Sequence, residues 1–215
     1  MINRLLRHLF FLLVVRPVML IIMGLNVRHR ERLPARGPAI LVANHNSHLD
    51  TMALICLFPQ CLLAKLRPVA AADYFLKNRL LAWFSLRIIG ILPLPREMKA
   101  RGGEHPLAPI DAALARGEIL IFYPEGTRGE PERLQAFKQG IAHIAERHAD
   151  IPIVPIYLHG LGKALPKGEV FLVPFFCDLF IGEPLAWPGD RKTFMAALQD
   201  RITALAAEGN FPPWE

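Results

Sequence analysis

The chain has 215 residues, 53% of them hydrophobic, and a formal charge of +6, which fits one domain with a sizeable core and an anionic partner. Its lysines and arginines are scattered, with no basic tract interleaved with aromatics, so a nucleic-acid groove is excluded; lipid head groups and phosphorylated substrates remain. Three cysteines, Cys56, Cys61 and Cys177, include no C-x-x-C pair, which excludes a disulfide framework and a thiolate zinc site.

In chain order, the first feature is a basic start (Arg4, Arg7), then an apolar run Leu9–Val15, an interruption at Arg16-Pro17, and a second apolar run to Leu25. A spanning helix needs about 20 continuous apolar residues, and a central arginine costs roughly 2.5 to 3.5 kcal/mol on insertion scales. No small-residue cleavage site follows, as a secretory signal peptide would require. The pattern predicts two short helices bent at Pro17, lying in one leaflet with the arginines at the head groups. A true span and a buried core helix are the alternatives. Residues 1–32 are therefore assigned to a membrane-associating segment and residues 33–215 to the folded body, joined through the turn-rich stretch 33–38.

Strands are expected at Ala39–Ala43, Ile91–Leu94, Glu118–Tyr123, Ile153–Leu158 and Val170–Ile181. Helices are expected at Asp50–Leu57, Tyr74–Ile89, Pro109–Arg116, Phe137–His148 and Asp190–Ala207. This alternation predicts an α/β fold, a mixed and mostly parallel sheet flanked by helices, with the last strand antiparallel. In such sheets reactive groups gather at strand ends, and two polar stretches occupy that position.

The first is Asn44-His45-Asn46-Ser47-His48-Leu49-Asp50, directly after the first strand. His45 and Asp50 would lie about 140° apart on a single helix, and on opposite faces of a strand. They can meet only if His45 ends the strand, residues 46–48 turn, and Asp50 enters a helix. The aspartate could then fix one imidazole tautomer and leave the other nitrogen as a base. A metal site using His45, His48 and Asp50, and a polar turn with Asp50 merely capping a helix, remain open on these seven residues. The second stretch is Tyr123-Pro124-Glu125-Gly126-Thr127-Arg128-Gly129, where Gly126 permits close backbone approach and Arg128 suits bidentate phosphate contact. Arg96 follows another strand end and Lys138 precedes a helix; each alone reads as a surface charge.

Jointly these motifs resemble the glycerolipid acyltransferases, most closely bacterial 1-acylglycerol-3-phosphate acyltransferases. The family's N-H-x-S-x-x-D is matched by Asn44, His45, Ser47 and Asp50. Its Gly…Arg motif is matched by Gly90 and Arg96, and its F-P-E-G-T-R-S is similar to Tyr123–Gly129. The F-K-x-G that follows is Phe137, Lys138 and Gly140, and the V-P-I-x-P-V strand is similar to Ile151–Ile156. Gly129 stands where serine is usual, and His48 where an aromatic is common.

The resemblance implies His45 as general base and Asp50 as its orienting partner, with no metal and no bound cofactor. It implies an acyl-CoA or acyl carrier protein thioester as donor, and a lysophospholipid held by Arg96, Glu125, Gly126, Thr127, Arg128 and Lys138. Oxyanion donors are expected among backbone N–H groups of the first motif. The implied location is the cytoplasmic face of a bacterial inner membrane, monotopic or peripheral. The implied acceptor is 1-acylglycerol 3-phosphate; the alternatives are an acyltransferase acting on another lysolipid, such as a lyso-aminolipid, then a lipid hydrolase and a non-enzymatic membrane-binding module.

Overall fold

The computed structural model describes residues 2–95, 105–166, 168–169 and 171–211. Its centre is the run Ala39–Ala43, apolar at every position and buried on both faces, as a strand covered by helices on each side must be. Strands β1 (Asn26–Arg28), β2 (Ala39–Ala43), β3 (Leu66–Ala71), β4 (Leu92–Leu94), β5 (Ile119–Phe122), β6 (Ile153–His159) and β7 (Asp178–Ile181) form one sheet in the order β1-β7-β6-β2-β5-β3-β4. The strands from β6 to β4 are parallel, β7 runs antiparallel to β6, and β1 runs parallel to β7. The fold is the mixed, mostly parallel sheet that the alternating pattern predicts.

Helices α1 (Ile2–Ile22), α2 (Leu49–Cys56) and the short α7 (Leu161–Ala164) cover one face; α5 (Ala108–Ala115), α6 (Gly140–Arg147) and α8 (Arg191–Glu208) cover the other. β2 serves both faces by alternation. Ala39, Leu41 and Ala43 join the core under α1 and α2, while Ile40 and Val42 join the core under α8. The α8 stripe is Phe194, Leu198, Ile202 and Leu205, and Asp190 caps the helix by accepting the Thr193 N–H at 2.9 Å.

Several expectations need correction. The helix expected over Tyr74–Ile89 is broken into α3 (Ala72–Phe75) and α4 (Arg79–Trp83), the latter continuing in wide π turns to Ile89. Asn78 restarts it, its Oδ1 accepting the Leu81 N–H at 2.8 Å. The last strand is only Asp178–Ile181; Phe171–Phe176 is an exposed loop with Pro174 in it. The helix expected from Phe137 starts at Gly140, because Lys138 belongs to the preceding loop. Strands β1 and β3 were not expected: β1 is a three-residue edge, and β3 carries Arg67 and Pro68.

In place of the two short helices expected to meet at Pro17, α1 runs unbroken through it as a single helix long and apolar enough to cross a membrane. Its turns over Phe11–Val15 and Val18–Ile22 are π-type, with the Met23 N–H bonded to Val18 O. A ladder already opened in this way absorbs the proline's missing donor and relieves its ring clash. Arg7, Phe11, Val15, Met19 and Met23 are buried at every fourth position. At α-helical pitch such a stripe drifts by about 40° per step; the wide turns cancel that drift and hold it against the core.

The arginines were expected at lipid head groups; Arg7, Arg16 and Arg30 instead bind protein carbonyls. Arg7 is 6% exposed, and its Nη2 donates to Leu66 O at 3.2 Å and Ile89 O at 3.0 Å. Gly90, with φ at 77°, leaves room for this guanidinium, which a side chain there would strike. Arg16 and Arg30 donate to Phe58 O and Leu57 O just past the end of α2, at 2.8 and 3.0 Å. Replacing Arg7 by Met strands two carbonyls in a dry site. The variant is expected to lose about 2 to 3 kcal/mol of stability, read as a lower denaturation midpoint in detergent, with exposed Arg4→Met nearly unchanged.

Candidate active site

Where β2 ends, Asn44 continues the pairing with β6 by side chain: its Nδ2 donates to Leu158 O at 2.9 Å, and its Oδ1 accepts the Leu158 N–H at 2.7 Å. The chain then turns through residues 46–48 into α2, with Asp50 in the first helical turn. His45 Nδ1 lies 2.9 Å from Asp50 Oδ2. The same oxygen accepts the N–H groups of Asn46 at 2.7 Å and Ser47 at 2.8 Å. Asp50 is fully buried, and the His45 side chain is 17% exposed. A carboxylate can only accept, so Nδ1 carries the proton and the Nε2 lone pair is left available.

Ser47 holds the turn from both sides, its Oγ donating to Leu165 O at 2.8 Å and accepting the Leu49 N–H at 3.2 Å. The Asn46 and Ser47 N–H groups are thus spent on Asp50. Oxyanion donors expected among the backbone N–H groups of the first motif are therefore not these two.

The His45 backbone is clamped by the second motif. Its N–H donates to Glu125 Oε1 at 3.3 Å, and its carbonyl accepts the Gly129 N–H at 2.8 Å. Its ring stacks on Tyr123, with centroids 4.0 Å apart and planes 16° apart. Tyr123 Oη is 2.9 Å from Thr51 Oγ1, the residue after Asp50. Burial and the nearby Asp50 charge push this phenol well above its ordinary range, so it stays neutral.

Gly126 has φ at 74°, and Lys138 folds back so that its ammonium fills the space a side chain at Gly126 would need. The Lys138 N–H also bonds to Pro124 O at 2.8 Å. The structure therefore brings Glu125, Gly126, Thr127, Arg128 and Lys138 into one loop beside His45, with Gly126 and Thr127 exposed and Arg128 half-buried. Arg96 lies outside the described residues.

At Gly129, Gln135 Nε2 sits 2.8 Å from where a Cβ would stand, so an amide occupies the place of the usual serine side chain. His48 packs among Tyr74 and Phe75, ring centroids 6.1 and 6.3 Å away. Burial first, then the positive charge of Arg128 and the neighbouring His45 ring, lowers its pKa to about 4, so it acts as a neutral ring. Among the described residues no group of three His, Cys, Asp or Glu side chains could hold a metal ion.

Glu132 carries no motif or spacing that marks it in the sequence. With φ at 60°, it is paired with His159 Nδ1 at the end of β6, and its Oε1 accepts the Gly160 N–H at 2.9 Å. With the Asn46 amide turned to satisfy its neighbours, the Glu132 N–H bonds to Asn46, which itself donates to His45 O at 3.1 Å. Tyr123–Thr51 and Glu132–His159 join residues 72 and 27 positions apart, and neither spacing carries a sequence signal.

A family model described as acyltransferase matches residues 24–159, well over half of the chain. The chain belongs to the acyltransferase family. It is 32% identical over 146 residues to the chloroplastic 1-acyl-sn-glycerol-3-phosphate acyltransferase of Arabidopsis thaliana, covering 67% of this chain and 38% of that protein. It is 25% identical over 180 residues to the human 1-acyl-sn-glycerol-3-phosphate acyltransferase alpha, covering 82% of this chain and 60% of that one. The chain thus spans about two fifths of the length of the plant relatives it matches. The crystal structure of the Thermotoga maritima 1-acyl-sn-glycerophosphate acyltransferase shares the fold, with a TM-score of 0.71 and 19% identity, over 100% of this chain and 99% of that one.

In this member of the acyltransferase family the Glu125 carboxyl is pushed toward neutral pH. Burial raises its carboxyl from 4.5 to about 7, against the lowering effect of the N–H bonds from His45 and Gln135. The native state holds this proton where the unfolded chain has lost it, so the contribution to stability is full below 4.5 and is lost as pH rises toward about 7. Glu125→Gln, a neutral isostere, is expected to flatten the fall in thermal midpoint between about pH 5 and about pH 8. An unchanged slope excludes Glu125 as its source.

Proposed function

We propose that this protein transfers a fatty acyl group from an acyl thioester to the free hydroxyl of 1-acylglycerol 3-phosphate, giving phosphatidic acid. The observation that carries the reading is the 2.9 Å contact of His45 Nδ1 with buried Asp50, which leaves Nε2 as a base next to the cationic loop of Arg128 and Lys138. Family membership and the names of the relatives support it. Nε2 takes the acceptor hydroxyl proton as that oxygen attacks the thioester carbonyl. The tetrahedral intermediate then expels the thiolate, which recovers the proton from the imidazolium. Asp50 orients the ring and stabilises its cation. Holding alcohol and thioester together removes much of the entropic barrier.

Arg128, with Glu125, Gly126 and Thr127, holds the glycerol phosphate of the acceptor, and Lys138 and Arg96 add positive charge. The donor is acyl-CoA or an acyl carrier protein thioester, with no metal or bound cofactor. Residues 1–32 associate with the membrane, for which the exposed apolar side of α1 is the support, and residues 33–215 carry the reaction. The location is the cytoplasmic face of a bacterial inner membrane. A lysolipid with another head group is the second reading, favoured by the Gln135 amide lying where the resembled motif has a serine; a panel of lysolipid acceptors separates the two.

His45→Ala is expected to lower kcat by about a hundred- to ten-thousandfold with unchanged circular dichroism and membrane recovery; retained turnover removes His45 as the base. Arg128→Ala is expected to raise KM for a phosphorylated acceptor on the order of ten- to a hundredfold, with a smaller effect on kcat. Equal KM values for parent and variant would reject the phosphate role.

A further inference from the structure

The family match ends at residue 159, and the most exposed aromatic side chains among the described residues lie beyond it. Phe171 and Phe176 are 78% and 83% exposed, with Val173, Leu172 and Phe175 between them also open. The loop is not loose at its ends. The Val173 N–H bonds to Ala164 O at 2.9 Å, and the Asn26 N–H bonds to Cys177 O at 2.8 Å. Phe176 packs over Gly24 just past α1, its ring 3.3 Å from where a Cβ would stand. Gly24 lies two residues beyond Ile22, and Leu20, Ile21 and Ile22 at the end of α1 are exposed by 54%, 79% and 50%. Lys163 Nζ lies 5.0 Å from the Phe175 ring centre, a cation at the base of an apolar tip.

The position in the fold is specific. β7 starts where β6 ends, with Asp178 opposite His159, so the loop leaves the same sheet edge as the His45 turn. Ser47 of that turn donates to Leu165 O, at the root of the loop. Contiguous exposed phenylalanines are rare on a soluble surface and mark a contact, and a lysine beside apolar aromatics is the side-chain set of the lipid interface.

We propose that Phe171–Phe176 is a second membrane-inserting element, continuous with the apolar face of α1, and that it sets the His45 edge of the sheet against the bilayer. The inference rests on the reading of α1 as membrane-associating. A lipid acceptor then reaches the base laterally, from the leaflet.

The test uses the full chain in vesicles of phosphatidylcholine and phosphatidylglycerol containing brominated acyl chains, with tryptophan fluorescence compared with the parent. Added emission from both Ile21→Trp and Phe176→Trp is expected to be quenched. The double variant Phe171→Ser/Phe176→Ser, folded by circular dichroism, is expected to partition into vesicles about tenfold less or weaker still. Quenching at Ile21→Trp alone overturns the loop assignment and leaves the helix reading intact; quenching at neither overturns both. An oligomer that the double serine variant dissociates, without quenching at Phe176→Trp, gives the surface to a second copy of the chain and overturns the proposal.

Discussion

Everything at the candidate site depends on one oxygen atom. Asp50 Oδ2 accepts the His45 ring N–H and the main-chain N–H groups of Asn46 and Ser47, all within 2.9 Å. A fully buried carboxylate needs such donors, and here the donors are the turn itself. The first turn of α2 adds the favourable end of its dipole. Two readings of the heptapeptide, a capped turn and an oriented base, are therefore not alternatives. The hydrogen bonds that hold the turn also set the tautomer of the imidazole.

The second loop contributes rigidity as well as charge. Glu125 and Gly129 grip the His45 peptide from its two sides, and Tyr123 supports the ring from below while tied to Thr51. Lys138 lies across Gly126, which explains a glycine there twice over: φ is positive, and no side chain would fit. Glu125 is the least settled charge in this arrangement, because burial holds its carboxyl near neutrality while two N–H groups favour the ionised form.

Much of this was legible in the sequence. A wholly apolar five-residue run followed by turn residues marks a central strand and its exit, and β2 has the expected bounds. The five-residue spacing of His45 and Asp50 demanded a turn if the two were to meet. What could not be read depends on tertiary partners. β3 contains Arg67 and Pro68, tolerated because Arg67 is paired with Glu118 on the neighbouring strand side. Arg7 reads as a head-group cation, yet Gly90 and the carbonyls of Leu66 and Ile89 make a buried site for it. The pairing of Glu132 with His159 has no periodicity or spacing to betray it. Helix breaks around Asn78 were missed for a local reason, a cap whose strength the apolar pattern concealed.

The placement of α1 links these findings. Its buried stripe packs in the same core as Ala53, Leu54 and Ile55 of α2, the helix whose first turn carries Asp50. Arg16 and Arg30 meanwhile bind the carbonyls that follow α2, fixing its far end. One side of α1 is thus part of the hydrophobic core, and only the other is available to lipid. Residues 1–32 differ from a tether in this respect: removing them would strip Phe11, Val15, Met19 and Met23 from the core and β1 from the sheet edge. A membrane contact made through the outer side of α1 would therefore fix the orientation of α2, and with it the direction in which His45 Nε2 faces. Membrane association and base geometry are in this way properties of a single packed unit.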